Sequence, residues 1–395
     1  MHGMRKVDIA IVGAGPVALS LARALAGIGL SMVLVDQQPH AQLADPAFDG
    51  REIALTHASR ALLEQSGIWQ QFPAEAISPL CDARVMDGRS SFALTFAASA
   101  PGVGDLGWLV PNHLIRRAAW KAVQSQDGVA LRCGCSVRAI EHSGAGVQLQ
   151  LSDGQRLSAR LLVAADSRFS STRRLLGIGA QLRDFGKTML VCRMRHALPH
   201  HHAAWEWFGY GKTLALLPLH GNRAGAVLTL PPRRIEALLA LDAVRFGAAM
   251  TDAFEHRLGP MDQDGSRHAY PLIASYAQRF VSARAALIGD AAVGMHPVTA
   301  HGFNFGLQSQ ARLAERVRRA AASGRDIGSA ALLHDYERAH RVATRPLYEA
   351  TNALATLYTD DRLPVRLVRA GALRAAHAVA PFKRAIAAHL VQRGV

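Results

Sequence analysis

The sequence predicts an α/β protein in which a parallel, helix-flanked sheet is interleaved with an antiparallel sheet and followed by helices towards the C-terminus. Three observations carry this. Residues 7–36 read as strand, glycine turn, helix and strand, and two later buried strands also deliver an acid at their ends. The stretch between them alternates apolar and polar residues at the two-residue period of half-buried strands. A chain of 395 residues, half apolar and 19% charged, has the material for two or more domains and a sizeable core.

In the first unit, Val7, Ile9, Ile11 and Val12 form an apolar run rich in β-branched residues, which suits a buried parallel strand. It leads into Gly13-Ala14-Gly15-Pro16-Val17-Ala18, a G-x-G-x-x-A pattern. Gly13 permits the tight turn, Gly15 removes a side chain that would block a pyrophosphate, and Ala18 lets the helix pack close to the sheet. Residues 19–29 read as that helix, and Met32-Val33-Leu34-Val35-Asp36 as a second strand. Asp36 lies about 20 residues past the glycines, where a carboxylate accepts hydrogen bonds from a ribose 2′-OH. Strand, turn, helix, strand and acid in register make this a Rossmann-like dinucleotide site.

A polar connection leads to Gly50-Arg51-Glu52-Ile53-Ala54-Leu55-Thr56. The forked donors of Arg51 suit phosphate oxygens, and an ordinary surface arginine is the equal alternative. A helix over 58–63 follows, then strands within 78–96 and over 106–110, and a helix from Asn112, its expected cap, to Val123. Strands over 129–131, 137–140 and 147–151 precede an Asp153-Gly154 hairpin turn. Leu161-Leu162-Val163-Ala164-Ala165-Asp166-Ser167 is a second buried strand ending in an acid, with Ser170 and Arg173 on a helical turn behind it. Segments 189–194, 205–208, 214–219 and 224–230 read as antiparallel strands with one face towards a pocket, and 235–257 as helical. The strand Ala285-Ala286-Leu287-Ile288 then carries Gly289 and Asp290 to the carboxyl edge of the sheet, where α/β proteins bind ligands. A loop over 296–304 and a long helix over 305–323 come next, and backbone N–H groups at that helix start could face an electron-rich ring edge. Another helix spans 336–358.

These elements assign residues 1–78, 103–180 and 265–345 to the dinucleotide-binding domain and 79–102 with 181–264 to a substrate domain. Residues 346–395 form a C-terminal helical segment.

Several classes are excluded. Cys81, Cys133, Cys135 and Cys192 make no disulfide framework, and a reducing compartment is expected. His200-His201-His202 are consecutive, so their side chains cannot converge on one ion, and no metal site is predicted. The net charge of +15 is not matched by any nucleic-acid module, which leaves an anionic membrane surface or an acidic partner. Residues 1–6 run straight into the first strand and leave no room for a signal peptide. Asp8, the glycines, Pro16 and Arg23 break the apolar run that follows, so a cytoplasmic protein is expected. Arg362, Arg366, Arg369, Arg374, Lys383, Arg384 and Arg393, without an acid among them, mark the tail as a basic amphipathic segment for a lipid surface or as a helix covering the protein's own core.

The ordered signals Gly13-x-Gly15-x-x-Ala18, Ala165-Asp166-Ser167 and Gly289-Asp290 with His296-Pro297 resemble those of the single-component FAD-dependent aromatic hydroxylases, most closely the ubiquinone-biosynthesis branch. The resemblance runs from Asp8 to about Tyr358 and takes in Arg51 and the segments 205–208 and 214–219. It implies FAD as cofactor, NAD(P)H as a transient reductant, and hydroxylation of a polyprenylated quinol by O₂ through a flavin C4a-hydroperoxide. Gly13, Gly15 and Ala18 would hold the pyrophosphate, Asp36 the adenosine ribose, and Arg51 the phosphate or ribityl region. Asp166 would support the second fingerprint, and Gly289 and Asp290 would serve the ribityl chain. Pro297, Gly302, Phe303 and Asn304 would lie along the isoalloxazine ring. His296 or His301 could act as base towards the substrate, or simply hydrogen-bond within the loop. The basic tail would contact the inner membrane face or a ubiquinone-biosynthesis complex. Departures from the pattern are Asp36 for Glu, Ser167 for Gly, Val293 for His, Ala300-His301 for Gly-Gln, and Ser309 for Asp.

Overall fold

The structure is a computed structural model that describes residues 5–88, 93–97, 105–144, 146–209, 211–297 and 301–359. Among these, the first sheet runs Val281–Ser282, Ala285–Leu287, Arg156–Ala164, Arg5–Val12, Met32–Asp36, Val129–Cys133. All but the first of these strands are mutually parallel. Their residues are apolar almost without interruption because both faces are covered. Ile9 to Val12, Met32 to Val35 and Leu161 to Ala164 are all buried, each large side chain contributing about 1.5–3 kcal/mol. Helices Pro16–Ala24, Asn112–Gln124 and Gly302–Ala322 pack on one another beside this sheet. A ribbon of Val137–Ser143 and Gly146–Leu151 pairs antiparallel with the first half of Arg156–Ala164.

The second sheet runs Val293–Gly294, His268–Ala277, Ala180–His196, Arg223–Leu230, Thr213–Pro218, Ala203–Phe208, Asp82–Asp87, Ala93–Ala97. One face carries Leu190, Cys192, Met194, Trp207, Leu214 and Leu216 against helices Pro232–Leu239 and Ala243–Ala253, a separate core centred on Phe246 and Met250. Three short strands, Glu52–Leu55, Gly107–Pro111 and Ser78–Leu80, form a third sheet. It stands against the open face of the second: a Cβ on Gly225 would lie 3.0 Å from Glu52 Cγ. The buried Glu52 carboxylate accepts from Arg193 Nε at 2.7 Å, a charged link between the two sheets.

Five local expectations change. Residue 265 does not open a return to the nucleotide sheet, because His268–Ala277 first pairs along Ala180–His196, a strand long enough to recruit it. Ala203–Phe208 pairs parallel, not antiparallel, with Asp82–Asp87 on one side. The helix expected over 235–257 breaks at Asp242, whose carboxylate accepts from Arg245 N at 2.8 Å and caps a second helix. Asn112 is the first helical residue, not the cap, and its amide donates to Asp49 at 2.7 Å. Helix Ala330–Thr359 passes through Pro346 and the boundary set there, and the basic residues of 362–395 lie outside the described residues.

Candidate active site

Parallel register decides which residues meet. Val35 pairs with Val12, Val12 with Ala164, and Ala164 with Leu287. Four strands therefore end together, and Asp36, Gly13, Ala165-Asp166 and Ile288-Gly289-Asp290 leave the same edge side by side. At about 4.8 Å per strand, the row from Asp36 to Asp290 spans roughly 15 Å. Backbone bonds lock it: Gly13 N donates to Val35 O at 2.8 Å, Ala165 N to Val12 O at 2.8 Å, and Ile288 N to Ala164 O at 2.9 Å.

The two glycines of the turn do different work. Gly13 has φ +104°, and a Cβ there would stand 2.5 Å from Ala165 O, so this position must be bare to let two strand ends approach. Gly15 has ordinary extended geometry and open space where its Cβ would be, directly before the N-terminus of Pro16–Ala24. That space, at a helix start with free N–H groups, fits a pyrophosphate. Ala18 is fully buried. Asp36 braces the turn, accepting from Ala14 N and Gln38 N at 2.7 Å each. Each of its oxygens keeps a lone pair that a ribose hydroxyl can use.

Arg51 is held by Asp49, with Nη2–Oδ2 2.5 Å and Nε–Oδ2 3.0 Å. Asn112 donates to that same oxygen, and Tyr270 Oη donates to Asp49 O at 2.8 Å. Sequence reading missed Arg116, which donates to Gln38 Oε1 at 3.0 Å and lies within electrostatic range of Asp36, Asp49 and Arg51. Burial lowers its guanidinium's proton affinity, Arg51 adding to that and the acids opposing it. Its only sequence signal was a place on the helix after the third sheet, and nothing local distinguishes it from Arg117. Gly15 at the helix start, Asp36 beside the turn and the cations Arg51 and Arg116 within electrostatic range of each other form a set that suits a dinucleotide.

Asp166 turns away from the row to cap helix Ser171–Leu175. It accepts from Ser170 Oγ at 2.5 Å, Thr172 N at 3.0 Å and Thr172 Oγ1 at 2.9 Å. Ser167, standing where Gly was expected, adopts φ +82°. Next to it Arg168 donates to Ile273 O and pairs with Asp290 at 3.4 Å. Asp290 is thereby oriented at the end of its strand, with its carboxylate 40% exposed. Gly289 N donates to Ser309 Oγ at 2.9 Å, so the serine that replaces Asp ties this turn to the long helix. A Cβ on Gly306 would meet Val17 Cγ2 at 2.7 Å, so the helix also rests against the first glycine unit.

That helix begins at Gly302, where an added Cβ would meet nothing within 4 Å. Phe303 is half-buried, and Pro297 is exposed. Asn304 is buried, accepting from Thr56 N at 3.2 Å and donating to Ala54 O at 2.9 Å. Its amide therefore binds the helix start to strand Glu52–Leu55. His296 packs edge-on against Phe185, and burial, then Arg168, push its proton affinity down to about 4. Such a neutral imidazole is a weak base. His301 is buried beside Phe305 at the helix cap. Among the described residues no His, Cys, Asp and Glu cluster could hold a metal ion.

A family profile described as FAD binding domain matches residues 6–350. Ubiquinone hydroxylase UbiM of Neisseria meningitidis is 44% identical over 387 residues, spanning 97% of this chain and 84% of its own. Ubiquinone hydroxylase UbiL of Rhodospirillum rubrum is 37% identical over 382 residues, spanning 97% and 89%. Among solved structures, p-nitrophenol 4-monooxygenase PnpA of Pseudomonas putida superposes with a TM-score of 0.79 at 17% identity, covering 99% of this chain and 100% of that one. A Klebsiella pneumoniae HpxO variant complexed with FAD gives 0.73 at 22% identity, covering 93% and 94%.

Proposed function

The chain belongs to the FAD-binding-domain family and is an FAD-dependent monooxygenase, and on that premise we propose that it hydroxylates the aromatic ring of a polyprenylated quinol precursor in ubiquinone biosynthesis. The observation that carries the reading is the single edge on which Asp36, Gly13, Gly15 and Asp290 are aligned. Beyond it lies the helix start at Gly302, where an added Cβ would meet nothing within 4 Å and which Asn304 ties to the strand standing on the second sheet.

FAD bound along this edge, once reduced, supplies the chemistry that activates O₂ for attack by an electron-rich ring. Gly15 and the N–H groups behind it would hold its diphosphate, with Asp36 on the adenosine ribose and Asp290, steadied by Arg168, on the ribityl chain. Arg51 and Arg116 would balance the phosphate charge. The ring end would meet the first N–H groups of helix Gly302–Ala322, which favour negative charge. Asn304 ties that end to strand Glu52–Leu55, which stands against the second sheet.

NAD(P)H is the proposed reductant. It delivers two electrons, one oxygen atom enters the ring, and the other leaves as water. No helix among the described residues is long and apolar enough to cross a membrane. A lipophilic substrate would then be met peripherally, with the basic segment 362–395 as the proposed contact with the inner membrane face or a biosynthetic complex.

The test is incubation of the FAD-loaded protein with a prenylated quinol precursor, NAD(P)H and O₂. A product one oxygen atom heavier, with nicotinamide oxidation stimulated by the quinol, is expected. Nicotinamide oxidation that yields only hydrogen peroxide and ignores the quinol would overturn the proposal.

A further inference from the structure

Glu206 lies within strand Ala203–Phe208 of the second sheet. Its neighbours Trp205 and Trp207 face the helices of the separate core, so alternation turns Glu206 to the opposite, open face. Its row across the sheet reads Leu94, Val85, Glu206, Ala215, Val227, Val191, His268, one acid among apolar side chains with a histidine four strands away. The next row holds Ala204, Leu217, Gly225 and Arg193, and over Gly225 lies Glu52 of the strand that Asn304 ties to the helix start. Glu206 therefore stands one row along and two strands across, roughly 12 Å, from where that strand crosses the sheet over Gly225.

The residue as a whole is half-buried, and among the described residues neither a hydrogen-bond donor nor a cation meets its carboxyl. Burial alone raises its proton affinity to about 8, so at neutral pH it is mostly an uncharged acid. The other charged groups of this face are engaged: Arg193 with Glu52, and Asp87, at the end of the neighbouring strand, with a partner of its own. An unpartnered acid in an apolar wall lowers stability. A site that must meet a small polar group from outside gives it a use.

We propose that Glu206 anchors a ring hydroxyl of the quinol, fixing which ring carbon faces the flavin while the prenyl chain lies along the apolar residues of the same face. The assignment rests on the hydroxylase reading above. A neutral carboxyl can both donate to and accept from a phenolic hydroxyl, so one side chain satisfies both needs without burying a charge.

Two variants and one substrate analogue test this. Glu206→Leu removes both hydrogen bonds. It should raise the KM for the quinol about tenfold and lower hydroxylated product per nicotinamide oxidised, with FAD affinity unchanged. Glu206→Gln, which still donates and accepts, should stay within about threefold of wild type. The wild-type enzyme given the quinol with its ring hydroxyls methylated, so that they accept but no longer donate, should show a KM raised severalfold, a measurement that stands even where Glu206→Leu does not fold. Wild-type KM and coupling in FAD-loaded Glu206→Leu, or equal use of the methylated analogue, would overturn the anchor alone. A wild-type enzyme that hydroxylates no prenylated quinol would remove the hydroxylase reading as well.

Discussion

Replacing Gly15 by Val should separate cofactor binding from folding. The position has φ −72° and ψ 168°, which a β-branched residue adopts without strain, and its Cβ would meet nothing within 4 Å. The remaining cost is a poorer N-cap, about 0.5–1 kcal/mol, or a few degrees in Tm. The methyl groups would occupy the space before the helix start that a diphosphate needs. Two charge-assisted hydrogen bonds, at about 1.5 kcal/mol or more each, are lost there. FAD affinity should therefore fall by about 10²-fold. Gly13→Ala should do the reverse: φ +104° costs about 1–2 kcal/mol, and the Cβ would strike the Ala165 carbonyl at 2.5 Å, whose strand cannot retreat without breaking its bond to Val12. The apoprotein should lose about 3 kcal/mol or more. Thermal denaturation of both apoproteins and fluorescence titration with FAD distinguish the two effects. Wild-type FAD affinity in Gly15→Val would refute the placement of the diphosphate, and wild-type stability in Gly13→Ala would refute the packing of the strand ends.

Ser167→Gly should raise stability by about 0.5–1 kcal/mol, the relief of a left-handed serine less the extra freedom of the unfolded chain, read as a higher midpoint in urea. Asp49→Asn should weaken FAD binding several-fold without unfolding the protein, because Arg51 loses the carboxylate that aims it; a fluorescence titration with no change would sink that role. Acid should destabilise the fold in a defined window. Burial, reinforced by Arg168 and by Arg312, lowers the proton affinity of His296 to about 4 and of His340 to about 3. Arg312 also donates to His340 Nδ1 at 3.2 Å, which requires a neutral ring. Their folded values lie below the unfolded value of about 6.5, so the unfolded chain takes up protons first. Stability is full above about pH 6.5 and falls as the pH drops towards 4, by about 3 kcal/mol for His296. Urea unfolding at pH 7.5 and 5 should show a smaller difference in His340→Gln; an equal difference would rule that histidine out.

Local sequence was enough for the parts that depend on short-range rules. The strand over 32–36 emerged with its predicted bounds, and the later strands ending near Asp166 and Asp290 were legible because an unbroken apolar run is what burial on both faces requires. The tight turn at Gly13 was legible in the same way. Other features were decided by pairing between distant segments. The contact between Gly13 and Ala165, the use of Asp166 as a cap, the tie from Asn304 to Ala54 and Thr56, and the place of Arg116 beside Arg51 all join residues whose meeting no local pattern encodes. Glu206 is the clearest case. Alternation alone could say that it opposes Trp205 and Trp207, but only the stacking of one sheet against another made its side of the strand an apolar wall. Periodicity is a property of adjacent residues, whereas the polarity of a site is set by whatever the fold brings up to face it.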